Sequence, residues 1–233
     1  MQKTDYSRYL GIVLSISYIL FALLFSIHFW SFNESFYRKE HDKILLYGKS
    51  IAEHIGISES DLDELTHFTL HYLNDPKADL NIQMNVKGQV REIFTDDEKL
   101  HMVDVRNLNL AANALLVITG IICIVILIWF IKEKRFYELL FSYKKVLIYA
   151  GIFLTFLVIW IIIDFDSFWT MFHHLFFPGN DLWLLDLRSD ILIMIVPPEF
   201  FNHLVLTIVS TFVFLLGAFF ILFFYLGKRN TVL

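Results

Sequence analysis

Four long apolar segments dominate the sequence, and none of them contains Asp, Glu, Lys or Arg. They cover residues 10–32, 110–131, 146–163 and 204–226. An α-helix rises about 1.5 Å per residue, so each segment can cross a hydrocarbon core of roughly 30 Å. We therefore predict an all-α membrane protein with four transmembrane helices. The first segment is too long for the apolar part of a signal peptide and ends in bulky residues, so we expect it to remain uncleaved.

The composition excludes several classes of function. Hydrophobic residues make up 57% of the chain and charged residues only 18%, which excludes an ordinary soluble enzyme. The single cysteine, Cys123, excludes a disulfide framework and a cysteine-rich metal site. A net charge of −5 argues against nucleic acid as a partner. We expect neither a bound metal nor a cofactor.

The distribution of basic residues predicts how the chain is oriented in the membrane. The segments 1–9, 132–145 and 227–233 together carry nine Lys and Arg residues against three acids. The loop over 164–203 carries one basic residue against six acids. Because short loops rich in Lys and Arg stay in the cytoplasm, we place the three basic segments inside. Residues 33–109 and 164–203 are then extracytoplasmic.

The first extracytoplasmic segment, 33–109, predicts a small α+β cap. Apolar residues spaced three and four apart predict one helix over 34–55. A second helix is expected to begin at a cap formed by Ser58 or Ser60 and to end at 74–76.

The rest of the cap predicts a hairpin and a long helix. Alternating apolar residues over 82–94, interrupted by a Lys-Gly-Gln turn, indicate a β-hairpin. Thr95 and Glu98 have the spacing of a capping box. We expect the helix that they start to continue without a break into the second span.

The second extracytoplasmic segment, 164–203, is rich in aromatic residues directly after a span. Rings of this kind prefer the level of the lipid headgroups. The apolar stretch over 190–196 is too short to cross the membrane and is followed by two prolines. We expect it to form a shallow interfacial or re-entrant segment.

Histidines are the candidate functional residues. His67 and His71 have a spacing that suits zinc but lack a third ligand, so we expect no metal there. We expect His41, His54 and His203 to be surface or interfacial residues without a local partner. By spacing alone, His101 and the pair 173–174 are either hydrated interfacial residues or functional groups.

Two sequence motifs favour a functional role for these histidines. Residues 101–106, HMVDVR, resemble the HMxDV(R/K) motif of a four-span bacterial membrane family. Residues 172–177, FHHLFF, continue through NDLW at 180–183 to Asp190, Leu192-Ile193 and Pro197, and are similar to the second motif of that family. The chain is thereby identified as similar to the lipoprotein intramolecular transacylase family of low-GC Gram-positive bacteria. The resemblance covers the whole topology, although residues 34–80 carry no recognised match.

The resemblance implies an acyltransferase in the cell membrane with its active site on the extracytoplasmic face. Its substrates would be lipoproteins whose N-terminal cysteine carries a diacylglyceryl group, and membrane lipids would surround it. The implied reaction moves the sn-2 acyl chain to the α-amino group of that cysteine. The product would be an N-acyl, S-monoacylglyceryl lipoprotein, the lyso-form.

The resemblance also implies roles for particular residues. His173 is expected to act as general base, with His174 as the alternative, and His101 as its partner in oxyanion binding or proton relay. Asp104 would orient His101 and favour its charged form, and Arg106 would supply further positive charge to the oxyanion. The complete set of expected supporting or substrate-binding residues is Asp104, Arg106, His174, Asp181, Trp183 and Asp190.

The residues of the motifs favour a direct transfer. No serine or cysteine accompanies the histidines, and Cys123 lies in the middle of the second apolar segment. Two other classes remain open at this stage. A non-catalytic scaffold or sensor would share the four spans and the cap, whereas a transporter is disfavoured because no span carries a charged residue.

Overall fold

The computed structural model describes residues 2–230 of the chain, with side chains described over 6–228. Helices predominate, and the strands form two small antiparallel pairs. The elements in chain order are α1 (Gln2–Ser31), α2 (Glu34–His41), β1 (Leu45–Leu46), β2 (Lys49–Ser50), α3 (Ile51–Ile55), α4 (Glu59–Asn74), β3 (Gln83–Val86), β4 (Gln89–Glu92), α5 (Asp96–Glu133), α6 (Phe136–Ile163), α7 (Phe165–Phe176), α8 (Ile191–Ile195) and α9 (Pro198–Asn230).

Four of these helices, α1, α5, α6 and α9, are long and apolar enough to cross a membrane. They contain the four predicted segments, except that α1 ends at Ser31, one residue before the first segment ends, and the predicted fold class is confirmed. Helices α6 and α9 begin well before the apolar segments that start at residues 146 and 204. Helix α5 ends at Glu133, where Lys134 adopts a positive φ of 54° and the chain turns into α6.

The chain divides into two compact units. The helical unit contains the described residues up to His28, the range Asn113–Phe168 and the described residues from Thr207. Its buried core is apolar and aromatic, and consists of Leu14, Phe130, Leu139, Leu140, Tyr143, Phe219 and Phe223. Because lipid chains are as apolar as these side chains, the helices are held together here by van der Waals packing and not by removal of apolar surface from water.

The mixed unit contains the ranges Phe29–Ala112 and Trp169–Leu206, and it combines short helices with the two strand pairs. Ser58 caps α4 through a complete capping box with Asp61, which confirms one of the two expected starts of this helix. Strands β3 and β4 pair with Val86 opposite Gln89. The predicted hairpin is therefore confirmed.

The prediction of a single helix over 34–55 is wrong. Helix α2 ends at His41, and the chain then makes a tight turn between β1 and β2. Tyr47 and Gly48 form this turn, with φ values of 52° and 82°. Two successive residues in the left-handed region suit a two-residue hairpin, and glycine adopts such a φ without steric cost.

The capping box that starts α5 is confirmed. The backbone N–H of Glu98 donates to the Thr95 hydroxyl at 3.3 Å, and the N–H of Thr95 donates to Glu98 Oε2 at 2.7 Å. From Asp96 the helix continues unbroken to Glu133, as the sequence predicts. The first part of α5 therefore belongs to the mixed unit and carries His101.

Candidate active site

The structure brings the two principal histidines of the motifs together within the mixed unit. His101 lies on α5 and His173 on α7, and their ring centroids are 6.2 Å apart. Both side chains are buried, with 7% of His101 and 5% of His173 exposed. Two imidazoles shielded from water can exchange protons with a substrate group held between or beside them.

Aromatic rings enclose this histidine pair. Phe177 contacts both histidines, with centroid distances of 5.4 Å to His101 and 5.7 Å to His173. Trp169 meets the His173 ring edge-on at 4.7 Å, and Trp183 stacks on it at 4.7 Å with an interplanar angle of 24°. These rings exclude water, which strengthens electrostatic interactions inside the site.

A hydrogen bond sets the tautomer of His173. Its Nδ1 lies 2.8 Å from the carbonyl oxygen of Trp169. A carbonyl only accepts, so Nδ1 carries the proton and Nε2 keeps its lone pair in the neutral ring. Burial lowers the pKa of His173 below its usual value, and His174 lowers it further, while the Trp169 bond opposes this effect. His173 therefore presents a neutral, basic Nε2 at neutral pH.

His101 is also neutral at neutral pH. Burial lowers the pKa of His101 to about 4, with a further contribution from His173, while Asp104 acts in the opposite direction. The Nδ1 atom of His101 is buried without a hydrogen-bond partner among the described residues. Burial thus lowers the pKa of His101 by more than Asp104 raises it, so Asp104 does not keep the ring charged as expected.

Asp104 also holds the loop after α7 in place. Its Oδ2 accepts a hydrogen bond of 3.1 Å from Asn180 Nδ2. The Asn180 Oδ1 in turn accepts from the backbone N–H of Leu182 at 3.2 Å. Asp104 therefore ties α5 to the turn that carries Trp183 beside His173.

A comparison with protein families decides the identity of this arrangement. The family model described as lipoprotein intramolecular transacylase Lit matches residues 12–201, which include both histidines. The chain belongs to the lipoprotein intramolecular transacylase family. It is an acyltransferase and a multi-pass membrane protein, and the family implies lipoprotein substrates and membrane lipids as partners. Family membership therefore favours the acyltransferase over the scaffold, sensor and transporter functions that the sequence left open.

Solved structures share the fold. The lipoprotein intramolecular transacylase Lit from Bacillus cereus is 22% identical, with a TM-score of 0.81, and the match covers 98% of this chain and 99% of that chain. Two variants of the Bacillus cereus protein, with one histidine replaced by arginine or by alanine, give TM-scores of 0.74 and 0.75 at 20% identity. These matches cover 99% of this chain and 96% and 98% of the variants. No curated protein sequence matches the chain.

Glu98 is a residue of this transacylase whose place in the site sequence reasoning missed. Its side chain is fully buried, and its Oε1 accepts a hydrogen bond of 2.7 Å from the backbone N–H of Leu192. The sequence identifies Glu98 only as part of a capping box, a role that needs hydrogen bonds to residues three positions away and no contact with a distant segment. No local pattern indicates that a residue from α8 completes its hydrogen bonding.

Arg106 and Asp190 of the transacylase support loops. Arg106 Nη1 donates to the carbonyl oxygen of Ala78 at 2.7 Å, and its guanidinium lies 4.4 Å from the ring centroid of Tyr72. Asp190 accepts from the N–H of Asp186 at 2.7 Å and from the Ser189 hydroxyl at 3.0 Å. Arg106 therefore binds the chain at Ala78, and Asp190 holds the turn over 186–190.

The remaining expected supporting residues lie at the surface of the transacylase. Asp181 and His174 are both exposed. The ring of His174 meets Trp183 edge-on at a centroid distance of 5.3 Å. His173, with its buried ring and fixed tautomer, is consequently better placed as a base than its neighbour His174.

Two other histidines differ from the sequence expectation. His41 is buried and its Nε2 lies 3.0 Å from the carbonyl oxygen of Ile195. His203 Nδ1 lies 2.6 Å from Glu40 Oε2. The prediction of a surface or interfacial position is wrong for His41, and both histidines have partners far along the chain, because α2 and the chain after residue 190 fold together within the mixed unit.

The remaining cap histidines have contacts of their own. His54 stacks on Tyr47 at a centroid distance of 5.4 Å. His67 Nδ1 lies 2.7 Å from Glu34 Oε1 in an exposed pair. Over the described residues, no group of three or more His, Cys, Asp or Glu side chains is arranged to hold a metal ion.

Proposed function

We propose that this transacylase transfers the sn-2 acyl chain of a diacylglyceryl-modified N-terminal cysteine to the α-amino group of the same cysteine. The product is an N-acyl, S-monoacylglyceryl lipoprotein. The observation that carries this proposal is the buried pair of His101 and His173, 6.2 Å apart, in which His173 has its Nε2 lone pair available. Aminolysis of an ester requires such a base, since the attacking amine must lose a proton.

The reaction proceeds through a tetrahedral intermediate. The neutral α-amine attacks the sn-2 ester carbonyl, a C–N bond forms, and His173 Nε2 accepts the proton that leaves the nitrogen. Collapse of the intermediate breaks the bond between the carbonyl carbon and the glyceryl oxygen, which takes the proton from His173. His101, buried beside His173, relays this proton or donates a hydrogen bond to the oxyanion.

The transfer is direct, from one part of the substrate to another. Both reacting groups belong to the same lipoprotein, so binding in one orientation replaces the encounter of two molecules. Among the described side chains whose rings contact His101 or His173 are Phe177, Trp169 and Trp183, none of which is a nucleophile. The aromatic walls suit the glycerol level of a bilayer, where the ester lies.

The mixed unit faces the extracytoplasmic side of a Gram-positive cell membrane in this proposal, since the basic segments mark the opposite side. Cysteine labelling tests the orientation. In a Cys123→Ser background, Val90→Cys places a thiol on an exposed position of β4, and Tyr137→Cys places one on an exposed position of α6. An impermeant maleimide should label the first variant and not the second in intact cells. Reversed labelling would contradict the orientation.

Mass spectrometry of lipoprotein N-termini tests the reaction. A bacterial host that lacks N-acylating activity should carry diacylglyceryl lipoproteins with free amines. Expression of the protein should convert them to the lyso-form at unchanged mass, with the acyl group on nitrogen shown by fragmentation. Unchanged diacylglyceryl N-termini in the presence of the expressed protein would refute the proposed reaction.

A further inference from the structure

The indole nitrogen of Trp183 lacks a hydrogen-bond partner although it is buried. Among the described residues, Trp183 Nε1 has no partner, and the same holds for His101 Nδ1. An indole N–H can only donate, so no alternative protonation state relieves it. Leaving a buried donor unpaired costs about 1–3 kcal/mol, and such groups are uncommon in folded proteins. A donor kept free at this cost points to an acceptor that arrives with the substrate.

Trp183 is held beside the base. Its ring lies nearly parallel to that of His173, with centroids 4.7 Å apart, and His174 meets its edge at 5.3 Å. The turn around it is fixed by hydrogen bonds within the chain, among them Leu185 N to Trp183 O at 3.0 Å. The Asn180 bond to Asp104 anchors the same turn to α5. The indole N–H is therefore a preorganised donor.

The proposed reaction needs such a donor. Attack of an amine on an ester places negative charge on the former carbonyl oxygen, which is attached to the same carbon as the attacking nitrogen. The oxyanion thus develops next to the base that accepts the proton from that nitrogen. Because burial keeps His101 neutral at neutral pH, and His173 is neutral until it accepts the amine proton, neither ring offers a positive charge to the carbonyl oxygen when the attack begins. A fixed neutral N–H in a water-poor site stabilises such charge effectively.

We propose that the indole N–H of Trp183 is a catalytic hydrogen-bond donor to the oxyanion of the tetrahedral intermediate. The role rests on the proposed acyl transfer to the α-amine and adds to it the group that stabilises the developing charge. Trp183 keeps its proton throughout, so it forms and breaks no covalent bond. Asp104 is a positioning residue for this donor, acting through Asn180.

Two replacements of Trp183 separate its N–H from its ring. Trp183→Phe keeps an aromatic ring against His173 but removes the donor. Benzothienylalanine at position 183, introduced by suppression of a stop codon, keeps the bicyclic shape and replaces only the N–H by sulfur. Trp160→Phe is the matched control, since Trp160 lies in the helical unit and packs edge-on against Phe168.

The readout is the rate of N-acyl product formation from a synthetic diacylglyceryl lipopeptide in detergent, measured over a range of concentrations. Both replacements should lower kcat by roughly 10²–10³-fold with little change in KM, as for loss of one oxyanion donor. Trp160→Phe should retain wild-type kcat. If the benzothienylalanine protein keeps wild-type kcat, the N–H has no catalytic role and the proposal fails. That outcome leaves the proposed function intact, because failure of the function itself would appear as inactivity of the wild-type protein.

Discussion

The Glu98 carboxylate accepts a hydrogen bond of 2.7 Å from the backbone N–H of Leu192, in the interior of the mixed unit. Glu98 lies one turn before His101 on α5, and Leu192 belongs to α8. The other carboxylate oxygen accepts from the N–H and the hydroxyl of Thr95, at 2.7 and 2.9 Å. One buried side chain thereby starts α5 and joins the segments that contain the two sequence motifs.

Replacement of Glu98 by glutamine should destabilise the protein. Both carboxylate oxygens accept hydrogen bonds, whereas a glutamine amide offers one acceptor and turns an NH₂ group toward one of the donors. We expect Glu98→Gln to cost about 1–3 kcal/mol, the range for a buried donor left unpaired. The loss should appear as a lower melting temperature in detergent and as faster thermal inactivation.

Glu64→Gln provides the matched control for this change, since Glu64 lies on the exposed side of α4. Surface substitutions of this kind usually change stability by less than about 0.5 kcal/mol. Equal melting temperatures for the Glu98 and Glu64 variants would show that the Leu192 bond contributes nothing to stability.

His173→Asn should remove activity while preserving structure. The asparagine amide takes the place of Nδ1 and can still donate to the Trp169 carbonyl, but the basic Nε2 is lost. The rate of acyl transfer should fall by roughly 10²–10⁴-fold, as expected for loss of a general base. Product formation from a diacylglyceryl lipopeptide measures this rate, and circular dichroism checks that the fold is retained.

His174→Asn is the control that distinguishes the two adjacent histidines. His174 is exposed and contacts Trp183 only by its edge, so its replacement should leave most of the activity. The opposite result, an active His173 variant and an inactive His174 variant, would transfer the role of base to His174.

The pH dependence of the rate should show two ascending limbs. Because the pKa of His173 is lowered, the base stays neutral at neutral pH and is lost only as the pH falls through that lowered pKa. The α-amine of the substrate has an ordinary pKa of about 8, so the fraction of neutral nucleophile still rises above neutrality. We expect the rate to increase up to the pKa of the amine.

A lipopeptide with a hydroxyl in place of the α-amine isolates the part of the pH profile that is due to His173, since the nucleophile no longer titrates in this range. Its rate should be independent of pH above about 6.5, the unperturbed histidine value, and should fall only below it. A midpoint above the unperturbed value would mean that His173 does not titrate as its burial requires.

His41 should make stability depend on pH. Burial lowers the pKa of His41, while its bond to Ile195 and the charges of Asp63, Glu59 and Asp42 oppose this shift. The neutral ring therefore stabilises the fold above the unperturbed value of about 6.5, and this contribution is lost as the pH falls through the lowered pKa. The melting temperature of the wild type should decrease accordingly on acidification.

His41→Gln tests this effect because its amide nitrogen can still donate to the Ile195 carbonyl but does not titrate. The difference in melting temperature between about pH 7.5 and about pH 5.5 should be smaller in this variant than in the wild type. His71→Gln, a change at an exposed position of α4, should keep the wild-type difference. If the His41 variant keeps the wild-type difference in melting temperature, groups other than His41 cause the pH dependence.

Sequence patterns predicted those features that local interactions determine. The apolar segments, the Ser58 cap, the hairpin over 82–94 and the start of α5 all depend on residues a few positions apart. The break near Tyr47 was missed because Tyr47 is an unusual residue for a positive φ, and the helical spacing of its neighbours conceals the turn.

Contacts between distant segments could not be predicted in the same way. The motifs indicated His101 and His173, and the structure brings their rings within 6.2 Å. The Glu98 bond to Leu192 and the His41 bond to Ile195 depend on tertiary packing, which single-residue patterns do not encode. The burial of His101 likewise depends on residues distant in the sequence, His173 and Phe177, whose rings contact it.

A direct transfer predicts that no acyl group is ever attached to the protein. Cys123 lies on α5 in the helical unit and packs against its apolar core. A thiol in apolar surroundings does not readily form the thiolate, which is the nucleophilic form. Cys123→Ser should therefore retain activity. A lipopeptide whose α-amine is already acetylated blocks the attack and would allow an acyl-enzyme to accumulate if one existed. Intact-protein mass spectrometry after incubation with it should show an unchanged mass, whereas a gain of one fatty-acyl group would establish a two-step route, with His173 as the first position to examine.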